Sequence, residues 1–164
     1  MKRVPNYCLA VLLAAGTLAG CNNTSKQEKN PVEQATIEFR KDAELILLAA
    51  TGDTIRRIEI EIADDDYERE TGLMYREELG KDHGMLFIFP DEDERSFYMR
   101  NTLIPLDIVY FNADSSAISI HENATPYNET GIPSNGAAQF VLEVNAGKMK
   151  EWQFELGDKF SIPN

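Results

Sequence analysis

The chain is 164 residues long and carries 28 acidic against 16 basic side chains, a formal net charge of −12. That balance argues against nucleic acid and against electrostatic docking on anionic lipid, and it favours solubility. Two cysteines and two histidines leave no disulfide framework and no zinc-type ligand set.

Lys2 and Arg3 precede an apolar stretch from Tyr7 to Ala19, and the segment closes on Leu18-Ala19-Gly20-Cys21. A positive start, a short apolar run and small residues at a cleavage point make a secretory signal. The run falls short of the ~20 residues that a spanning helix needs. A cysteine directly after the small residues resembles the lipobox of bacterial lipoproteins. The resemblance implies that Cys21 takes a diacylglycerol, that the chain is cut before it, and that the new amino end is acylated. Two or three acyl chains hold a protein on a bilayer stably, where one would not. Asn22 follows Cys21 where an Asp would imply inner-membrane retention, so the same resemblance favours the outer membrane. The expected partner is therefore the membrane of a bacterial cell envelope, reached through the lipid anchor. Loss of residues 1–20 removes Lys2 and Arg3 and no acid, taking the net charge to −14. Cys8 leaves with the signal and Cys21 is lipidated, so the exported domain keeps no spare thiol.

Residues 21–36 form the acylated Cys and a tether. The stretch Asn22 to Thr36 has one valine and no aromatic, the composition of a solvated linker. As a flexible coil it spans ~20 Å. Residues 37–164 are expected to form one domain. Glu44 to Ala49 reads as a strand, and Thr51-Gly52-Asp53 as a turn. Thr54 to Ile62 alternates, with Ile58, Ile60 and Ile62 on one face and Arg57, Glu59 and Glu61 on the other, a half-buried strand. Asp64-Asp65-Asp66 signals a helix start, with a helix from about Asp66 to Leu79 that Gly80 ends. Met85 to Phe89 is a strand stopped by Pro90, followed by the acidic loop Asp91 to Glu94. Further strands are Ser96 to Arg100, Pro105 to Phe111, Ala117 to His121, Ala138 to Val144 and Lys159 to Ile162. Asp114-Ser115-Ser116 turns a hairpin, and Ala146 to Phe154 reads as a short helix. The fold class is mainly β, a β-rich α+β domain. A small antiparallel barrel or rolled sheet with two short helices fits best. A monomer is expected.

Asp107 lies in Leu106-Asp107-Ile108-Val109-Tyr110-Phe111, where both strand faces are apolar. A buried carboxylate must find partners or change its protonation state. Arg100 and Arg76 are the candidate partners, and the backbone amides of the Asn101-Thr102 turn are the structural alternative. Glu143, in Phe140-Val141-Leu142-Glu143-Val144, poses the same question: a pocket residue, or one facing water. Met74, Met85 and Met99 read as core filling. His83, in Lys81-Asp82-His83-Gly84, reads as exposed. No nucleophile elbow, phosphate loop or metal set is present, so no catalytic residue, cofactor or metal is assigned.

The ordered segments Thr71-Gly72-Leu73-Met74-Tyr75-Arg76, Gly84-Met85-Leu86-Phe87, Phe97-Tyr98-Met99-Arg100-Asn101-Thr102 and Pro105-Leu106-Asp107 resemble the family known as domain of unknown function 192. Phe140 to Val144, Ala146-Gly147 and Gly157-Asp158 continue the pattern, which runs from about Ile58 to Ile162. Tyr98 stands where that family commonly has Trp, and Arg100 where Lys is common. The resemblance implies a small, β-rich and frequently exported domain, and it supplies no reaction.

Three functions fit these residues. A binding module would hold a small polar or carbohydrate-like ligand near Arg76, Arg100, Asn101, Asp107 and Glu143. A structural lipoprotein would hold none. A hydrolase or lyase would use Asp107 and Glu143 as acid and base, which requires the two carboxyls to face each other across a cleft.

Overall fold

A computed structural model of the protein describes residues 37–163. The expected signal, the lipidation site Cys21 and the tether lie outside the described residues. In chain order the elements are β1 (Ala43–Leu48), β2 (Thr54–Ala63), α1 (Asp66–Thr71), β3 (His83–Phe97), β4 (Leu106–Phe111), β5 (Ala117–Ala124), β6 (Ile132–Asn145), α2 (Lys148–Trp152) and β7 (Lys159–Ser161). The strands form one mainly antiparallel sheet in the order β5-β4-β6-β3-β2-β1-β7. It curls into a half-barrel, and a bridge between Ser116 and Lys159 brings the start of β5 to β7.

One pair departs from the antiparallel expectation: β2 and β3 run parallel. A parallel pair cannot be closed by a tight turn and needs a crossover of a dozen or more residues. The segment carrying α1 supplies it. Asp65 caps α1 by accepting the amide of Glu68 at 2.7 Å, as the acidic run anticipates. The helix is nevertheless six residues long, where the sequence pattern extends it to Leu79. Gly72 ends it at φ 48°, where a methyl would lie 2.9 Å from the Phe87 ring. β3 is longer than expected and continues through Pro90 to Phe97. Its register against β6 shifts between Ile88 and Asp93, and a proline is tolerated at such a break in the ladder. Arg95 braces the break: its guanidinium lies 4.2 Å from the Phe89 ring centroid and donates to the carbonyls of Ala138 and Asp91. The expected strand Ser96 to Arg100 therefore splits, with its first two residues closing β3 and its last two in a turn.

Side-chain alternation divides the interior into two cores, one on each side of the sheet. The first contains Leu47, Ile60, Leu86, Val109, Phe111 and Leu142, closed by Trp152 of α2 and Phe160 of β7. The second contains Met85, Phe87, Ile108, Tyr110 and Val141, closed by Leu73 and Met99 from the connecting segments. Met85 and Met99 are core filling, as read from the sequence. His83 is half-buried, not exposed: it opens β3 and stacks on Phe39 with centroids 3.8 Å apart.

Candidate functional site

Strand register places Glu61, Met85, Glu143 and Ile108 side by side on β2, β3, β6 and β4. Residues in register point to the same face, here that of the second core. Glu61 is 4% exposed, so the polar face read for β2 is not uniformly solvated. Its carboxylate binds Arg76 bidentately, Oε1 accepting from Nη1 at 2.6 Å and Oε2 from Nη2 at 2.5 Å. It also accepts the amide of Arg40 at 2.9 Å. Arg76 thus pairs with Glu61 and not with Asp107. This pair leaves no mark in the sequence, because Glu61 occupies a polar position of an alternating strand.

Asp107 is fully buried and has a structural task. Its Oδ2 accepts the amide of Met149, and its Oδ1 accepts that of Asn123, each at 2.9 Å. Met149 lies in the first turn of α2, whose cap is Gly147 at φ 82° and offers no side chain. Asp107 supplies that cap from another strand, where a carboxylate also meets the helix dipole favourably. The partners are backbone amides, as the structural alternative supposed, but not those of the Asn101-Thr102 turn.

The segment after α1 and the loop 98–102 meet above the second core. Leu73 is buried in that core, Tyr75 turns outward at φ 63°, and Arg76 returns to Glu61. Asn101, at φ 58°, accepts the amide of Tyr75 with its carbonyl at 2.8 Å and donates Nδ2 to the Tyr75 hydroxyl at 2.8 Å. Tyr127, at φ 60°, donates its amide to the carbonyl of Thr102. Left-handed backbone at a bulky residue costs on the order of 1–3 kcal/mol and clusters at functional sites. Of the seven described non-glycine residues with positive φ, Tyr75, Asn101 and Tyr127 meet here, and the two tyrosines are the bulky ones. Tyr75 remains 59% exposed and Tyr127 64%. Beside them the Arg100 guanidinium stacks 5.0 Å from the Tyr98 ring centroid and donates to its hydroxyl at 3.2 Å.

Of the candidate residues, the structure brings Arg100 and Asn101 together at this surface and places Arg76 on the core side of Tyr75. Glu143 shares the face of Arg76 and Glu61. Asp107 belongs to the opposite face. Sequence reading missed the exposed tyrosines as a group, although the glycine-free segment Phe97 to Thr102 contains three of the site's residues, Tyr98, Arg100 and Asn101. On the α2 side a depression is lined by Ala49, Ile55, Trp152, Gln153, Glu155 and Asp158. The two oxygens of Asp158 there already accept the amides of Ala50 and Glu155. Among the described residues no three His, Cys, Asp or Glu side chains converge as a metal site, and no helix is long and apolar enough to cross a membrane.

The model of the family DUF192, described as "Uncharacterized ACR", matches residues 47–162. No curated protein matches the chain. Among solved structures, a "putative transcription regulator" from Sinorhizobium meliloti 1021 is similar at 37% identity and a TM-score of 0.72, covering 77% of this chain and 96% of its own. A protein of unknown function from Novosphingobium aromaticivorans DSM 12444 is similar at 36% identity and a TM-score of 0.68, covering 72% of this chain and 83% of its own.

Proposed function

We propose, from the premise that this chain belongs to the DUF192 family, that it is a lipid-anchored protein of the bacterial cell envelope whose domain binds a small polar, carbohydrate-like ligand. The single observation that carries the binding role is the locked pair of Tyr75 and Asn101, two residues held in left-handed backbone by reciprocal hydrogen bonds while the tyrosine ring stays in solvent. Aromatic faces stack on apolar ring edges, and the Asn101 amide and the Arg100 guanidinium offer hydrogen bonds to hydroxyls. A few converging polar groups beside aromatic surface are the usual makings of a small-molecule site. The anchor rests on Cys21 and the signal before it, and outer-membrane placement on Asn22.

A role in transcription, the description given to the Sinorhizobium relative, would need a basic face. This chain's net charge of −12 speaks against phosphate contacts. A purely structural lipoprotein would leave the strain at Tyr75, Asn101 and Tyr127 without a use.

The test is a titration of the 15N-labelled full chain with methyl glucoside and with N-acetylglucosamine. Amide shifts centred on Tyr75, Tyr98, Asn101 and Tyr127 are expected. Shifts elsewhere, or none at high concentration of either sugar, would remove the binding role.

A further inference from the structure

Four carboxylates are buried among the described residues: Glu61, Asp107, Glu143 and Asp158. Three are used by the fold. Glu61 holds Arg76 and the Arg40 amide, Asp107 holds the amides of Asn123 and Met149, and Asp158 holds those of Ala50 and Glu155. Glu143 is 5% exposed, and no hydrogen bond joins its carboxyl to another described residue. Buried polar groups in native proteins are nearly always partnered, so an idle one needs a reason. Among the described residues, the side-chain polar atoms sealed from solvent without a partner are Arg56 Nε, Arg76 Nε and Trp152 Nε1. The Glu143 oxygens are not among them, so this carboxyl is nearly but not wholly sealed from solvent.

That end faces the second core, on the side where the tyrosine loop closes it. Asn145, two residues further along the same strand face, donates to the carbonyls of Leu79 and Gly80 and holds the post-α1 segment over this row. Glu61 lies two strands away in register, about 10 Å by strand spacing. The ionisable groups on this face are few. From β2 and the post-α1 segment come Glu61 and Arg76, which neutralise each other. From β4 comes Tyr110, whose hydroxyl is spent on the carbonyl of Ile132. At the next register position Glu59 and His83 stand at the solvent edge. β3 presents Met85 and Phe87, and the 99–104 loop presents Met99, Thr102 and Ile104. Among the described residues no cation pairs with Glu143, and Arg100 of the neighbouring loop is exposed and lies over Tyr98.

We propose that Glu143 is the buried anchor of the ligand site, its carboxyl exchanging hydrogen bonds with a hydroxyl of a neutral, polyhydroxylated ligand. The inference rests on the reading of the tyrosine surface as a ligand site and adds the group beneath it and the charge of what binds. A hydroxyl both donates and accepts, so it satisfies a neutral carboxylic acid fully. An anionic group set against Glu143 would find no cation paired with that carboxyl. Burial pushes the Glu143 carboxyl up to about 8, so it is the neutral acid near pH 7.

The test compares wild type, Glu143→Gln and Glu143→Leu as full chains, titrated with methyl glucoside and N-acetylglucosamine, with glucosamine and glucuronate as the cationic and anionic counterparts. Wild type should bind the neutral sugars and weaken about tenfold from pH 7 to pH 9, as the neutral fraction falls. Glu143→Gln should bind with no such pH dependence, and Glu143→Leu should lose at least tenfold. Preserved amide dispersion in Glu143→Gln guards against a folding artefact. If sugars still shift Tyr75 and Asn101 with unchanged affinity in Glu143→Leu, the anchor is refuted and the surface site stands. If the charged sugars bind better than the neutral ones, the ligand class is refuted. If no sugar shifts Tyr75 or Asn101, both readings fall.

Discussion

Asp107 and Glu143 sit on adjacent strands and point to opposite faces of the sheet: Glu143 is in register with Ile108, and Asp107 with Val144. One residue of offset in strand position separates them completely. They cannot act on one substrate as acid and base, so the paired-carboxylate reading of the sequence does not survive the fold.

Asp107→Asn should therefore act on stability. The carboxylate accepts one backbone amide on each oxygen. An asparagine offers one acceptor and turns an N–H toward the other amide. Losing a charge-assisted bond and leaving a buried donor unpaired costs roughly 2–4 kcal/mol. The denaturation midpoint should fall accordingly, without a change in slope. A midpoint within experimental error of wild type would refute the capping role.

Glu143 makes stability depend on pH in an unusual direction. The folded protein holds this proton up to about pH 8, whereas the unfolded chain releases it near the ordinary value of 4.5. Between those values the folded state binds more protons, so stability falls as pH rises, by about 3–5 kcal/mol in total. Outside that window this group adds no slope. Glu143→Gln should flatten the difference between pH 5 and pH 8. Denaturant melts across that range decide it, and an equal slope in wild type and variant would contradict the assignment.

Removing one member of the Arg76–Glu61 pair should be costly. Arg76→Met leaves Glu61 buried without its cation, which costs about 3–5 kcal/mol, while the double change with Glu61→Leu should recover most of the loss. Thermal midpoints of the two singles and the double measure the coupling. Additive losses would show that the pair is not a unit.

The N-terminal reading predicts that Cys21→Ser, with residues 1–20 replaced by a secretory signal that is cleaved without lipidation, abolishes membrane association, because the tether has no apolar segment to replace the acyl chains. It also predicts that a chain starting near Thr36 folds as a soluble monomer with unfolding unaffected by reductant, since a domain of this size does not need disulfide staples. Fractionation and calorimetry check the two parts. A variant that still sediments with the membrane would sink the anchor, and an aggregated fragment would sink the independence of the domain.

Much of the fold was legible because alternation and turn residues report strands directly. Ile58 and Ile60 mark a buried face, and Asp114-Ser115-Ser116 turns a hairpin with Ser115 at φ 63°. Strand direction was not legible: alternation is the same for parallel and antiparallel neighbours, so the β2–β3 pairing stayed hidden. Pro90 misled because its rule forbids a continuous ladder, and the chain meets the rule by shifting register. At the site, Arg76 and Asn101 stood out as polar residues among apolar ones. Glu61 did not, since its partner arrives from across a crossover. The exposure of Tyr75 depends on a single left-handed residue that composition does not announce.

On the proposed reading, the tyrosine surface exists to bind and not to hold the fold. The full chain with Tyr75→Ala and Tyr98→Ala together measures it most directly, in one thermal melt and one titration with N-acetylglucosamine. Exposed side chains away from buried features contribute within about 0.5 kcal/mol each, so the account predicts a nearly unchanged midpoint and a loss of sugar binding. A variant that binds N-acetylglucosamine as wild type does, or one that loses several kcal/mol of stability, would contradict it.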